Sequence, residues 1–243
     1  MVIDLPANFI EQVKNIDWGS VREAVADYGP ALTVLRDTWD RETLAQIAEG
    51  HLFVRDSVLN EAIAKNIGTQ GSVRSIVLRS HANGRLDLLC TTTKKYKKVE
   101  LSGTIEEFVH DGDKSYAVYR VREKSIPDHG FVSWVFSRVS LSMVERMMGR
   151  FDVSENLPVE IHGNKVHVDF RGMLAASQLG QTEFHGHKLM DMIEIEGASV
   201  QEGGIMFDTK LNVPDDVRDA LKALLQEHRS SASEENAGKG ETP

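Results

Sequence analysis

The stretch Val73-Arg74-Ser75-Ile76-Val77-Leu78-Arg79 leads through Asn83-Gly84 into Arg85-Leu86-Asp87-Leu88-Leu89-Cys90. Arg85-Leu86-Asp87-Leu88 alternates polar and apolar residues, the period of a strand with one buried face. Asn-Gly between the two halves is the strongest short hairpin signal, because both residues accept the positive φ that tight hairpin turns require. The pair therefore predicts an antiparallel hairpin. Upstream, at Gly68, the apolar spacing changes from about 3.6 to 2. Residue 68 is thus read as the start of a sheet.

The sheet continues downstream. Residues 96–109 place Val99, Leu101, Gly103 and Ile105 on one face. Asp111-Gly112-Asp113 turns that strand into residues 115–122, since Asp-Gly is a preferred turn pair. A second tight hairpin joins residues 157–161 to 166–170 through Gly163-Asn164. A third pair, residues 192–195 and 205–211, surrounds Gly203-Gly204. Residues 131–139 read as a strand or an extended entry to a helix. Leu141, Val144, Met147 and Met148 then return to helical spacing, which Gly149 ends. Residues 173–179 allow a short helix.

Before the sheet, residues 1–67 read as helical. Leu5, Phe9, Val13 and Ile16 recur at helical spacing, and Ser20 with Glu23 fits a capping box. Gly29-Pro30 and Gly50 are breaks. The last helix of this segment, residues 56–66, carries Val58, Leu59 and Ile63, with Ile67 just beyond it. After the sheet, Pro214 suits the first position of a final helix, with Asp215 and Asp216 at its positive end. From Ser230 the chain has no apolar periodicity and predicts a disordered tail. The expected class is α+β: a helical segment over 1–67, a strongly curved antiparallel sheet packed on helices over 68–229, and the tail 230–243.

Composition narrows the function classes. The 243 residues carry 28 Lys and Arg against 37 Asp and Glu, a formal net charge of −9. Such a chain repels phosphate polymers, which argues against general nucleic-acid binding. One cysteine, Cys90, excludes a disulfide framework. Apolar runs fall short of the roughly 18 residues of a membrane span. Residues 1–6 lack the basic and apolar regions of a signal peptide, so a cytoplasmic location is expected.

The element order over residues 54–211 resembles the tubular lipid-binding (TULIP) superfamily, near its small bacterial LmeA-like phospholipid-binding members. The resemblance rests on Val58-Leu59-Asn60-Glu61-Ala62-Ile63, the strand meander, Ser142-Met143-Val144-Glu145-Arg146-Met147-Met148, Leu157-Pro158-Val159-Glu160-Ile161, and the closing phrases Ile193-Glu194-Ile195-Glu196-Gly197 and Gly203-Gly204-Ile205-Met206-Phe207. It implies a curved sheet wrapped on a helix with an apolar groove for acyl chains. The groove candidates are Leu59, Ile63, Val144, Met147, Met148, Met192 and Met206, methionine being adaptable to varied apolar ligands. Methionines also fill ordinary irregular cores.

Lys94-Lys95-Tyr96-Lys97-Lys98 concentrates positive charge in an acidic chain. Lys94, Lys95, Lys97 and Lys98 suit docking on anionic headgroups. They equally suit protection of an exposed strand edge. His162, His167 and Asp169, with His185 or His187, are the only histidine grouping that offers metal ligation, but their spacing is not that of a metal motif. No metal or other cofactor is expected. Cys90, at the end of an apolar strand, reads as a buried structural thiol. No catalytic signature is present. The sequence thus predicts non-enzymatic binding of a lipid or other long apolar ligand. The alternative is a protein-interaction or scaffold module whose core is filled.

Overall fold

The computed structural model of the protein describes residues 46–217, apart from 48, 70 and 185, together with residue 219. The expected helices over 1–45 and the tail 230–243 lie outside the described residues, as does most of the final helix, whose residues 215–217 are helical. In chain order the elements are strand β1 (His51–Arg55), helix α1 (Asp56–Asn66) and strands β2 (Val73–Ser80), β3 (Leu86–Thr92), β4 (Lys98–His110) and β5 (Ser115–Ser125). Helices α2 (Gly130–Arg138) and α3 (Leu141–Met148) come next, then strands β6 (Val159–His162) and β7 (Lys165–Asp169). Helices α4 (Arg171–Ala176) and α5 (Gln178–Gln181) precede a small ribbon of β8 (Glu183–Phe184) and β9 (His187–Lys188). A 3-10 turn (Leu189–Met192) leads into β10 (Ile193–Gln201) and β11 (Gly204–Leu211).

Nine of these strands form one antiparallel sheet, in the order β1-β11-β10-β4-β5-β7-β6, with β2 and β3 joining at β4. The protein is therefore α+β, as the alternation predicts. The hairpin of β2 and β3 is present, with Leu78 opposite Leu88 and Ser80 opposite Leu86. Its loop is longer than a two-residue turn. His81 N–H donates to the Arg85 carbonyl at 2.9 Å, and Gly84 takes φ +77° inside the loop.

Three expectations need correction. The sheet is not strongly curled. One edge of β4 is divided: its first half pairs with β3, and His110 at its end pairs with Ile195 of β10. Register shifts after Ser102 and after Ile105 let β4 keep β5 along its other edge. The extra residues are absorbed as local bulges, and the sheet branches rather than wrapping a helix. Residues 51–55 are not helical but form β1. Leu52 lies opposite Phe207 and Val54 opposite Ile205, a long-range pairing that overrides the local pattern. Residues 131–138 lie within helix α2 rather than in a strand. Val132 and Phe136, one turn apart, turn toward the core, and Phe136 is buried. The β-branched and aromatic composition favours a strand, but burial of one stripe decides for helix.

The main core joins Leu78, Leu86, Val99, Leu101, Tyr119 and Val121 of the sheet to Phe136, Leu141 and Val144 of α2 and α3, and to Ile205 and Phe207. Leu59 and Ile63 of α1 pack against it. Helix α1 also closes the free edge of β2 with side chains in place of a strand. Asn60 Nδ2 donates to the Leu78 carbonyl at 2.9 Å, and Leu78 N–H donates to Asn60 Oδ1 at 2.7 Å. One turn earlier, Asp56 Oδ2 accepts from Ser80 N–H at 2.8 Å. Asp56 and Asn60 at i and i+4 share a helix face, and Leu78 and Ser80 at i and i+2 share a strand edge, so the two periods match.

Candidate functional site

Two helices and one turn build the most distinctive surface. Helix α3 is capped at its start by Ser140, whose hydroxyl accepts from Met143 N–H at 3.3 Å. Its remaining free donors land on the β6–β7 turn: Leu141 N–H donates to Asn164 Oδ1 at 2.9 Å and Ser142 N–H to the Gly163 carbonyl at 2.9 Å. This fixes α3 on the sheet, with Val144 only 2% exposed in the core. Met143 is on the outer side and is 51% exposed. Helix α2 follows a turn in which Asp128 takes φ +66°. It buries Phe136 and leaves Trp134 and Val135 outside, with Trp134 54% exposed. The Arg138 guanidinium lies over the Trp134 ring at 4.0 Å.

The lysine-rich segment forms the turn from β3 to β4. Thr92 holds it at the base: its hydroxyl donates to the Tyr96 carbonyl at 3.0 Å and accepts from Lys94 N–H at 3.1 Å. Tyr96 packs against the main core and meets His129, just before α2, edge to face at 5.3 Å. Lys94 reaches the other helix. A Cβ added at Gly149, immediately after α3, would stand 3.1 Å from Lys94 Nζ. The ammonium thus sits at the negative end of α3. Lys95, Lys97 and Lys98 are exposed, and Lys95 Nζ lies 5.6 Å from the centre of the Tyr96 ring. The turn therefore abuts the start of α2 and the end of α3, the two helices that carry the exposed Trp134, Val135 and Met143. Arg146 and Arg150 add charge at the same end of α3.

No known protein family, curated protein or solved structure matches the chain.

The five groove candidates whose side chains are described fall in three separate places. Leu59, Ile63 and Val144 belong to one packed core. Met206 alternates with Ile205 and Phe207 on β11 and lies on the opposite face, across from Phe53 and Ser199. Met192 is buried in the 3-10 turn with Leu189. Met147 and Met148 lie on α3, but their side chains are outside the described ones.

The histidines are also dispersed. His162 Nε2 lies 3.3 Å from Glu160 Oε2 on an exposed strand end. His167 stacks on Tyr116 at 5.0 Å. His187 pairs with Asp216 at 3.1 Å, and His185 is outside the described residues. Asp169 is engaged with Arg171. Among the described residues no cluster of three His, Cys, Asp or Glu side chains has metal-ligating geometry. Likewise, no helix among them is long and apolar enough to cross a membrane.

Burial pushes the Cys90 thiol up to about 12, so thiolate, the reactive form, is suppressed at neutral pH. Sequence reasoning missed two buried polar groups. His110 is 3% exposed, with Nδ1 2.8 Å from Ser115 Oγ and Nε2 3.1 Å from the Met190 carbonyl. The carbonyl can only accept, so Nε2 donates to it. This pair ties β4 and β5 to the 3-10 turn. Lys124, on β5 beneath α2, is 7% exposed and donates to the Ser137 carbonyl at 3.4 Å.

Desolvation lowers the Lys124 ammonium below the ordinary lysine range. The unfolded chain therefore holds this proton more tightly than the folded protein. The resulting penalty is full below the lowered folded value and disappears above the ordinary value of about 10.4. Lys124→Met is accordingly expected to raise the melting temperature at pH 7, with the gain narrowing as pH climbs toward that value. Thermal unfolding across pH measures this, and a variant less stable than the parent at pH 7 contradicts it.

Proposed function

We propose that the protein is a non-enzymatic lipid-binding module that docks on anionic lipid surfaces through the β3–β4 turn and the adjoining faces of α2 and α3. One observation carries the reading: Tyr96 against His129 and Lys94 at the end of α3 bring four lysines beside helices with exposed Trp134, Val135 and Met143. Basic residues flanking exposed apolar ones are the make-up of an interfacial lipid-binding surface. Each lysine near an anionic membrane contributes about 1 kcal/mol. An enclosed acyl groove between sheet and helix has less support, because Val144, Leu59 and Ile63 are occupied in packing with each other's cluster. That same filled core favours, as the second reading, a protein-interaction module.

Sedimentation with vesicles tests the proposal. Phosphatidylserine-containing vesicles are expected to bind the full chain at low salt, and phosphatidylcholine vesicles to bind it weakly. Changing Lys94, Lys95, Lys97 and Lys98 to glutamine should weaken binding by on the order of a thousandfold. Salt should act in the same direction, since surface attraction is screened over about 8–10 Å at physiological ionic strength. Asparagine at His162, His167, His185 and His187 should leave binding intact at neutral pH, where most histidines are uncharged. Binding that ignores both salt and the lysine changes overturns the proposal and leaves the protein-interaction reading.

A further inference from the structure

Helix α2 carries more apolar surface than its packing uses. Val132 and Phe136 attach it to the core. Ile126, buried just before the helix, accepts it through a hydrogen bond: the Ile126 N–H donates to Ser133 Oγ at 3.0 Å. Beneath it, Lys124 donates to the Ser137 carbonyl in the last turn. The helix is thus held on one side by packing and hydrogen bonds while Trp134 and Val135 remain outside. Large aromatic rings usually bury most of their area, so a tryptophan more than half exposed beside exposed Val135 is a departure that a ligand surface would relieve.

The ring is covered on one face. Arg138 sits one helical turn after Trp134 and lays its guanidinium on it at 4.0 Å. At an exposed site such a cation–π contact is weak. Arginine also forms bidentate hydrogen bonds with phosphate, a stronger interaction. One helix therefore presents a ring suited to the interface between headgroups and acyl chains, together with a cation suited to the phosphate level just above it. The lysine turn meets the start of the same helix.

We infer that α2 is the element that enters the lipid interface, with Trp134 as the inserted side chain, the exposed Val135 following it on the same helix, and Arg138 transferring from the ring to a lipid phosphate. The inference rests on the docking reading above and adds to it which residues penetrate. The occupant is an anionic phospholipid bilayer. Charge complementarity selects the headgroups, and the exposed Trp134 and Val135 select a surface with a hydrocarbon layer beneath it, which a soluble polyanion lacks.

Two measurements on the full chain decide it. In the first, Trp18 and Trp39 are changed to phenylalanine, so that the emission reports Trp134 alone. Phosphatidylserine-containing vesicles should shift that emission to the blue, and the same vesicles with acyl chains brominated near the headgroup should quench it. In the second, Trp134→Ala in the otherwise native chain should bind these vesicles roughly tenfold more weakly, with its melting temperature close to that of the parent because the ring contributes little to the core. If the protein binds vesicles in a salt-sensitive way while Trp134 emission is unchanged and Trp134→Ala binds like the parent, the docking reading stands and the insertion is wrong. If no vesicle binding occurs even at low salt, both are wrong. An acidic protein that shifts the emission where vesicles do not overturns the bilayer as the occupant. Should the tryptophan-depleted chain fail to fold, the Trp134→Ala binding ratio decides alone.

Discussion

Gly103→Val is expected to cost about 4 kcal/mol or more of folding stability, enough to leave a domain of ordinary stability largely unfolded at 37 °C. Gly103 lies in β4 at the register shift opposite Val121. A Cβ there would stand 2.0 Å from the Arg120 carbonyl oxygen and 3.0 Å from Tyr119 Cζ. Neither neighbour can yield cheaply. The carbonyl is part of the β4–β5 ladder, and the Tyr119 hydroxyl is fixed by donating to the Leu86 carbonyl at 2.7 Å. The backbones must separate at the strand that holds both arms of the sheet. Gly84 is the control. It takes positive φ, unlike Gly103, but nothing lies within 4 Å of a Cβ there, so Gly84→Ala should cost only about 1 kcal/mol. Urea unfolding followed by circular dichroism separates the two. A Gly103→Ala variant that unfolds within 1 kcal/mol of the parent, by the same order-of-magnitude yardstick, contradicts the argument.

Asn60→Leu is expected to lose about 2–3 kcal/mol. The substitution keeps the side-chain volume but removes the two hydrogen bonds to the Leu78 backbone, leaving a partly buried N–H and C=O without partners. The edge of β2 then offers unpaired groups to other strands, so faster aggregation should accompany the lost stability. Hydrogen exchange at the Leu78 amide should accelerate more than exchange along β4. Val58→Ala on the same helix removes an exposed side chain and should change stability by no more than about 0.5 kcal/mol. Equal urea midpoints for Asn60→Leu and the parent would show that the amide is not what closes the edge.

Local chemistry was readable where a single segment decides the outcome. Asn83-Gly84 between the two strands predicted the hairpin, and Leu59 and Ile63 predicted a helix over residues 56–66, which α1 matches. What depends on distant partners was not readable. The stretch His51–Arg55 has no pattern that distinguishes a strand until β11 lies beside it. That β4 shares one edge between β3 and β10 depends on pairings that no local window contains. Helix α2 misled through its valines and aromatics, although Trp134 and Arg138 at i and i+4 gave a helical signal that could have been used. Of the candidate surface, the lysine turn was visible as charge in an acidic chain. Its apolar half was hidden, because exposure of Trp134 is settled by which stripe of α2 the core takes.

The pairing of β1 with β11 sets a timetable for the newborn chain. His51 has no ladder partner until Asp208 has been made. At about 5–20 residues per second, that interval is on the order of ten seconds on the ribosome. The hairpin of β2 and β3 and the ladder of β4 and β5 join neighbours in sequence and can form during the wait, whereas the outer strands of the other arm close only over the longest loop in the sheet. A translation stall before residue 204 would therefore leave β1 with an open edge beside a half-built sheet, a state that chaperones must shield.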